Sequence, residues 1–303
     1  MPSRKGRSLP SLRARLLGER LRAWREERGL TLKYVAATLH KDFSDMARVE
    51  RGERALHLGE AASLLDLLAV YESAERDFLF RLARDAYRLR LWEGDFDGPE
   101  LDASIVDSLW LESVAERIRC YGAVSVPDLL RTPAYAEAVV YRERSAGVSE
   151  PMLEWWTRSY GRRQREVFER RPMVSVEAVV AEAALRCPLG GPDVWRAQLE
   201  HLATGGDDGS VQLRLLPASA GFLAGMDGSF TVFDPPAKYL PAVACRPYAD
   251  IAALHEGATA GWYADAFDRL WDFALPAGES MRFITELIAD ACELTEVSDR
   301  RSR

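Results

Sequence analysis

Five side chains suited to reading base-pair edges lie within six positions of this sequence: Phe43, Ser44, Asp45, Ala47 and Arg48. Met46 and Val49 fall among them at the spacing a helix turns to its inner face. On such a helix Arg48 can pair with guanine O6 and N7, Asp45 can accept from cytosine N4, and Ala47 can meet a thymine methyl. Thr31, Lys33, Lys41 and Arg51 complete the expected DNA-contacting set on either side. The competing reading of the same residues is an exposed helix that now binds protein.

The surrounding residues supply what such a helix needs for positioning. Thr31 can cap a preceding helix whose apolar face is Val35, Ala36 and Leu39. Asp42 stands where the second helix needs a cap, and Gly52 offers the left-handed exit that a helix C-terminus favours. Two short helices joined by a tight turn form the layout in which the second enters the major groove and the first crosses the phosphates. A helix over about Leu16–Arg28, with Leu17, Leu21 and Trp24 on one face, is expected before them. A fourth helix from His57 and a fifth over about Ser73–Leu91 are expected after them.

With these residues in view the segment resembles phage-repressor-like (XRE-type) helix-turn-helix proteins over roughly residues 16–70. Gly29-Leu-Thr31, Ala36 and Arg48-Val-Glu-Arg-Gly52 stand where that family carries Gly-Leu-Thr-Gln, Leu-Ala and Ile-Glu-x-Gly. His40 replaces the usual turn glycine, Lys41 a small apolar residue, and Leu32 the glutamine that often contacts phosphate. Histidine tolerates a positive φ better than bulky or β-branched residues, so the turn can form. The resemblance also implies a structural pair between Arg25 and Glu50 that orients the groove helix without touching bases.

Composition narrows the class of protein. At 48% hydrophobic and 29% charged residues the chain is ordinary for a soluble globular protein, and 303 residues suffice for two domains. No apolar run approaches the ~20 residues that span a bilayer, and the basic N-terminus lacks an apolar signal core, so a cytoplasmic protein with no membrane partner is expected. Residues 1–60 hold 14 basic against 8 acidic side chains, a net of +6, whereas the remainder nets −13. A basic head on an acidic body fits a DNA-binding module joined to a domain that does not bind DNA. Cys120, Cys187, Cys245 and Cys292 lie far apart and suggest reduced, mostly buried thiols, with neither a zinc site nor a disulfide framework.

The expected division is a basic flexible arm (1–15), a five-helix all-α domain (16–92) and a Gly/Asp/Pro linker (93–104). An α+β domain (105–295), with one small sheet flanked by helices, and a disordered tail (296–303) follow. Within the second domain, helices are expected at Ile105–Tyr121, after Thr132, at Glu150–Glu169, Asp193–Ala203, Tyr263–Phe273 and Ser280–Leu294. Strands are expected at Met173–Val180, Val211–Leu216, Phe230–Phe233 and Ala242–Cys245.

Candidate chemistry in this domain is sparse. Arg158, Arg162, Arg163, Arg165, Arg170 and Arg171 read as a solvated helix face, with an anion-contacting or second DNA-contacting surface as the alternative. Glu182, with Arg162 and Arg163, is a candidate ligand or partner site, although a helix-capping role or an ion pair from Glu182 to Arg186 is the simpler reading of that residue. No histidine sits in a nucleophile or metal constellation, so neither an enzyme nor a cofactor is expected.

Val126-Pro-Asp-Leu-Leu-Arg-Thr-Pro-Ala-Tyr-Ala136 is similar to the Val-Pro-Gly-Leu-Leu-Gln-Thr-x-x-Tyr-Ala signature of a domain in many actinobacterial regulators. Arg162-Arg-Gln164, Glu182-Ala-Ala-Leu-Arg186, Gln198-Leu-Glu-His-Leu202, Leu216-Pro217 and Gly228-Ser-Phe-Thr231 follow in the same order. Asp128 and Arg131 replace the signature's glycine and glutamine. The resemblance implies an XRE-type regulator of a Scr-type, antitoxin-like system, often encoded beside a small partner protein. The expected function is a homodimeric, sequence-specific regulator that binds double-stranded DNA and senses a small protein or small molecule through its C-terminal domain. The alternative is an antitoxin-like interaction module whose DNA binding serves only autoregulation.

Overall fold

The computed structural model describes residues 10–87, 101–143, 148–204, 211–236, 242–247 and 252–301. The chain divides into two compact units, residues 1–107 and 108–303. Most of the expected linker (93–104) lies outside the described residues.

The first unit contains α1 (Leu12–Glu27), α2 (Leu32–Thr38), α3 (Phe43–Glu50), α4 (Leu58–Leu67) and α5 (Ser73–Tyr87). Helix α1 begins four residues earlier than expected, which corrects the assignment of residues 10–15 to a flexible arm. Ser11 caps it by accepting from the Ala14 amide at 3.2 Å, and Leu12 and Ala14 are buried. Arg13, expected within the basic flexible arm, is 1% exposed and pairs with Asp107 at 2.7 Å. Asp107 lies in α6 (Ala103–Val114) and also accepts from the Leu12 amide.

In the second unit β1 (Arg117–Gly122) follows α6, and then α7 (Pro133–Glu143), α8 (Glu150–Phe168), β2 (Ser175–Ala181), α9 (Glu182–Leu185) and α10 (Pro192–Thr204). Strands β3 (Val211–Leu216), β4 (Phe230–Asp234), β5 (Val243–Pro247) and β6 (Ala252–His255) precede α11 (Gly257–Phe273) and α12 (Ala277–Arg301). The six strands form one mixed sheet in the order β3-β2-β1-β4-β5-β6. The three on the β3 side run parallel, and β4, β5 and β6 pair antiparallel.

Alternation along β2 separates two cores. Ala178 and Val180 join Cys120, Leu213 and Leu215 under α10 and α12, whereas Val179 and Ala181 join Tyr121, Phe230 and Val232 under α11.

This is the expected α+β unit, although α9 was not expected, α11 begins six residues before the expected Tyr263, and there are three further differences. Strand β1 stands where the helix from Ile105 was expected to run on, because the charged Arg117 and Arg119 mask a central strand. Arg119 is buried there because both its Nε and Nη2 reach Asp234 at 2.9 Å. Strand β6 was not expected, since Ala-Ala-Leu-His contains no β-branched residue. Helix α12 runs to Arg301 and takes in most of the segment expected as a disordered tail.

Gln164 and Gln198 of the second signature converge with Arg131 on one segment, Val126–Thr132, whose only regular piece is a 3-10 turn at Asp128–Leu130. Gln198 donates to the Leu130 carbonyl at 2.8 Å and accepts from the Thr132 amide at 2.7 Å. Gln164 donates to the carbonyls of Leu129 and Arg131. Arg131 is buried, donating to the Val126 carbonyl at 2.7 Å and the Tyr160 hydroxyl at 2.8 Å and pairing with Asp128 at 2.8 Å. A segment without regular backbone pairing is thus satisfied by side chains from α8 and α10.

The two departures from the signature, Asp128 and Arg131, touch each other and should depend on each other. Either Asp128→Gly or Arg131→Gln alone removes one member of the pair, whereas the double change restores the signature's neutral residues. A double-mutant cycle by urea unfolding of the intact chain is expected to give a coupling of ~0.5–3 kcal/mol, with the double variant more stable than the sum of the singles predicts. Additive losses would mean that the pair is not a compensating unit.

Candidate nucleic-acid interface

Thr31 caps α2, its hydroxyl accepting from the Tyr34 amide at 3.1 Å, and the helix buries Val35 and Ala36. The chain then turns through His40 at φ 52°, so histidine occupies the left-handed position that the turn requires. Helix α3 buries Met46 and Val49 and exits through Gly52 at φ 72°. Asp42 occupies the N-cap position of α3, but its side chain makes no capping hydrogen bond, unlike the expectation.

Two features fix α3 against α1. Arg25 forms a bidentate pair with Glu50, Nε at 2.6 Å and Nη2 at 3.0 Å, and both side chains are largely buried. The same guanidinium donates from Nη1 to the Leu30 carbonyl at 2.9 Å, which ties in the loop before α2. The second feature is close backbone contact. A Cβ on Gly18 would sit 2.5 Å from the Val49 carbonyl oxygen, and one on Gly52 would sit 2.6 Å from the Arg15 backbone. Sequence reasoning passed over Gly18, although a glycine inside a helical pattern is itself a sign of close approach.

The outward residues of α3 stand as its periodicity dictates. Phe43, Ser44 and Arg48 are exposed, while Asp45 and Ala47 are half-buried. Arg48 lies 3.8 Å from Asp45, a loose exposed pair that leaves its guanidinium open to solvent. Lys33 is exposed at the start of α2 beside Tyr34, an exposed aromatic that the candidate set omitted. Two expected DNA contacts are engaged elsewhere in the unit. Lys41 lies 2.5 Å from Glu60, and Arg51 makes a bidentate pair with Glu53 at 2.9 Å. Burial opposes ionisation of Glu60, but Lys41, the His57 amide and Arg54 together hold its carboxyl below the usual range.

The candidate residues of the second unit do not meet in a comparable arrangement. Arg163 is buried against Glu112, with contacts at 2.8 and 3.0 Å, so it belongs to the core. Arg162 pairs with Glu166 one turn along α8. Glu182 accepts from Arg186 at 2.7 Å and from the Ala218 amide at 2.9 Å, and these contacts lower its pKa. The arginine cluster is therefore divided, since Arg170 also turns inward to the carbonyls of Ser113 and Ala115. Burial pushes the Cys120 and Cys245 thiols up to about 12, which suits inert core residues, while Cys187 is exposed. The Cys292 side chain lies outside the described residues.

Residues 105–286, more than half the chain, match a domain of unknown function, DUF5753. The chain belongs to the DUF5753 family. Residues 16–79 match a helix-turn-helix domain, which spans α2, α3 and the helices that hold them and supports a DNA-binding regulator. No curated protein and no solved structure was found to match. Among the described residues of this DUF5753 protein, no helix is long and apolar enough to cross a membrane.

The geometry makes the hold on α3 testable. Arg25→Met strands the Glu50 carboxylate in a largely buried position and should cost ~3–5 kcal/mol, and adding Glu50→Leu should recover much of that loss. Urea unfolding of the intact chain, read at the transition of the N-terminal unit, measures the coupling. A value near zero would show that the pair does not hold α3. Gly18→Ala should also destabilise this transition, by more than ~1 kcal/mol, because backbone and not a pliable side chain meets the new methyl.

Proposed function

We propose that this protein is an XRE-type, sequence-specific transcriptional regulator that reads double-stranded DNA with α3. The observation that carries the reading is the anchored helix itself. Arg25, Glu50, Gly18 and Gly52 hold α3 while Phe43, Ser44 and Arg48 face solvent. Such a unit offers a major groove a preset helix with a guanidinium for guanine. It acts in the cytoplasm as a homodimer, because a single eight-residue helix reads only one half-site. The reading involves no catalytic step.

The DUF5753 domain, in this reading, is the receiver in a Scr-type, antitoxin-like system. Its occupant is a small protein partner or a small molecule. Support for a protein partner comes from the loops at the carboxyl ends of β1 and β3. They carry the two most exposed large apolar side chains described in this unit, Val124 at 75% and Phe222 at 84%. The acidic balance of the chain outside its first 60 residues keeps DNA recognition with the basic head.

Selection of genomic fragments with the purified protein supplies the operator, and Arg48→Ala tests the reading on it. The variant is expected to lose ~1–3 kcal/mol of specific affinity, with discrimination relaxed at one base pair and the fold unchanged. Operator binding as tight as wild type would mean that Arg48 does not read a base and that α3 is not docked as proposed.

A further inference from the structure

Helix α3 presents two different strips to solvent. Residues four apart on a helix lie about 40° apart around its axis, so Phe43 stands beside Ala47 and Ser44 beside Arg48. The first strip is apolar and the second polar. Met46 and Val49 fill the inner side of the helix, and Phe43, at 57% exposed, stands apart from that core. Phe43 is also the first residue of α3, and the N-terminal residues of a groove helix are the ones that meet base edges.

A benzyl side chain carries no hydrogen-bond donor or acceptor. Among the groups that base pairs present in the major groove, only the C5 methyl of thymine is apolar. Against any other base the ring would cover polar groups and leave them unpaired, which is costly. The strip is too small for a protein partner. It is one ring and one half-buried methyl beside the exposed Ser44 and Arg48, whereas a stable protein interface takes ~800 Å² from each side. We propose that Phe43 is a specificity-determining residue that packs on a thymine methyl of the operator, with Ala47 extending the same contact. Residues 43 and 47 stand ~6 Å apart along the helix, less than two base-pair steps of ~3.4 Å, so the strip takes one thymine or two neighbouring ones. The inference rests on the proposed docking of α3 and adds to it the base preferred where no hydrogen bond is available.

The test replaces each thymine of the selected operator by uracil, one at a time, which removes the methyl and keeps every hydrogen-bonding group. Binding of the intact protein is read by fluorescence anisotropy at fixed salt. One or two thymines in each half-site are expected to show a loss of about fourfold, the worth of one buried methyl group. Phe43→Ala should weaken binding to the thymine operator and make the thymine and uracil operators bind alike. Phe43→Leu, which keeps an apolar side chain, should retain the uracil loss, and it keeps the test open if circular dichroism shows Phe43→Ala unfolded. A preferred half-site without thymine, full affinity for every uracil operator, or a uracil loss that persists in Phe43→Ala would overturn the proposal. If Arg48→Ala still weakens operator binding in those cases, the docking of α3 stands and only the role of Phe43 falls. If the selected fragments share no sequence, the docking falls and this inference with it.

Discussion

The ion pair between Arg25 and Glu50 is the interaction on which the use of the N-terminal unit depends. Helix α3 has eight residues, too few to be stable alone, and it must present its outward side chains at one angle. One guanidinium joins α1, the loop before α2 and the last turn of α3 through three hydrogen bonds. The glycines at 18 and 52 allow the backbones to approach closely enough for that pair to form. A side chain at either glycine would displace α3 from α1, and a displaced α3 would lift Glu50 away from Arg25. Packing and electrostatics therefore specify the same orientation.

The DUF5753 unit follows a related logic with a different result. Its eye-catching polar residues are engaged in building the fold. Gln164, Gln198 and Arg131 satisfy the irregular segment Val126–Thr132, and Glu182 holds the turn at Ala218. Arg163 is neutralised in the core by Glu112. The exposed loops after β1 and β3, with Val124 and Phe222, lie outside that framework.

The helix-turn-helix was legible because its signals are local. Thr31 caps three residues ahead, His40 and Gly52 mark the positive-φ positions that bound α3, and the apolar residues of α2 and α3 keep helical spacing. What could not be read depends on partners far along the chain. Arg13 becomes a buried residue only because Asp107, 94 positions away, meets it. Arg119 can sit in a central strand only because Asp234 and Asp268 come from β4 and α11 to pair with it. Arg162 and Arg163 look alike as neighbours in sequence, but one faces Glu166 near the surface and the other is buried against Glu112. Adjacent positions on a helix point in different directions, and only the packed structure assigns each an environment.

Hydrogen–deuterium exchange of the intact protein, with and without its selected operator, tests most directly whether α3 is the DNA-reading element. Operator binding is predicted to slow exchange across Thr31–Lys33 and Phe43–Arg51 while β3 and α10 exchange as before. Protection centred on α8 or on the sheet of the DUF5753 unit, with α3 unchanged, would contradict it.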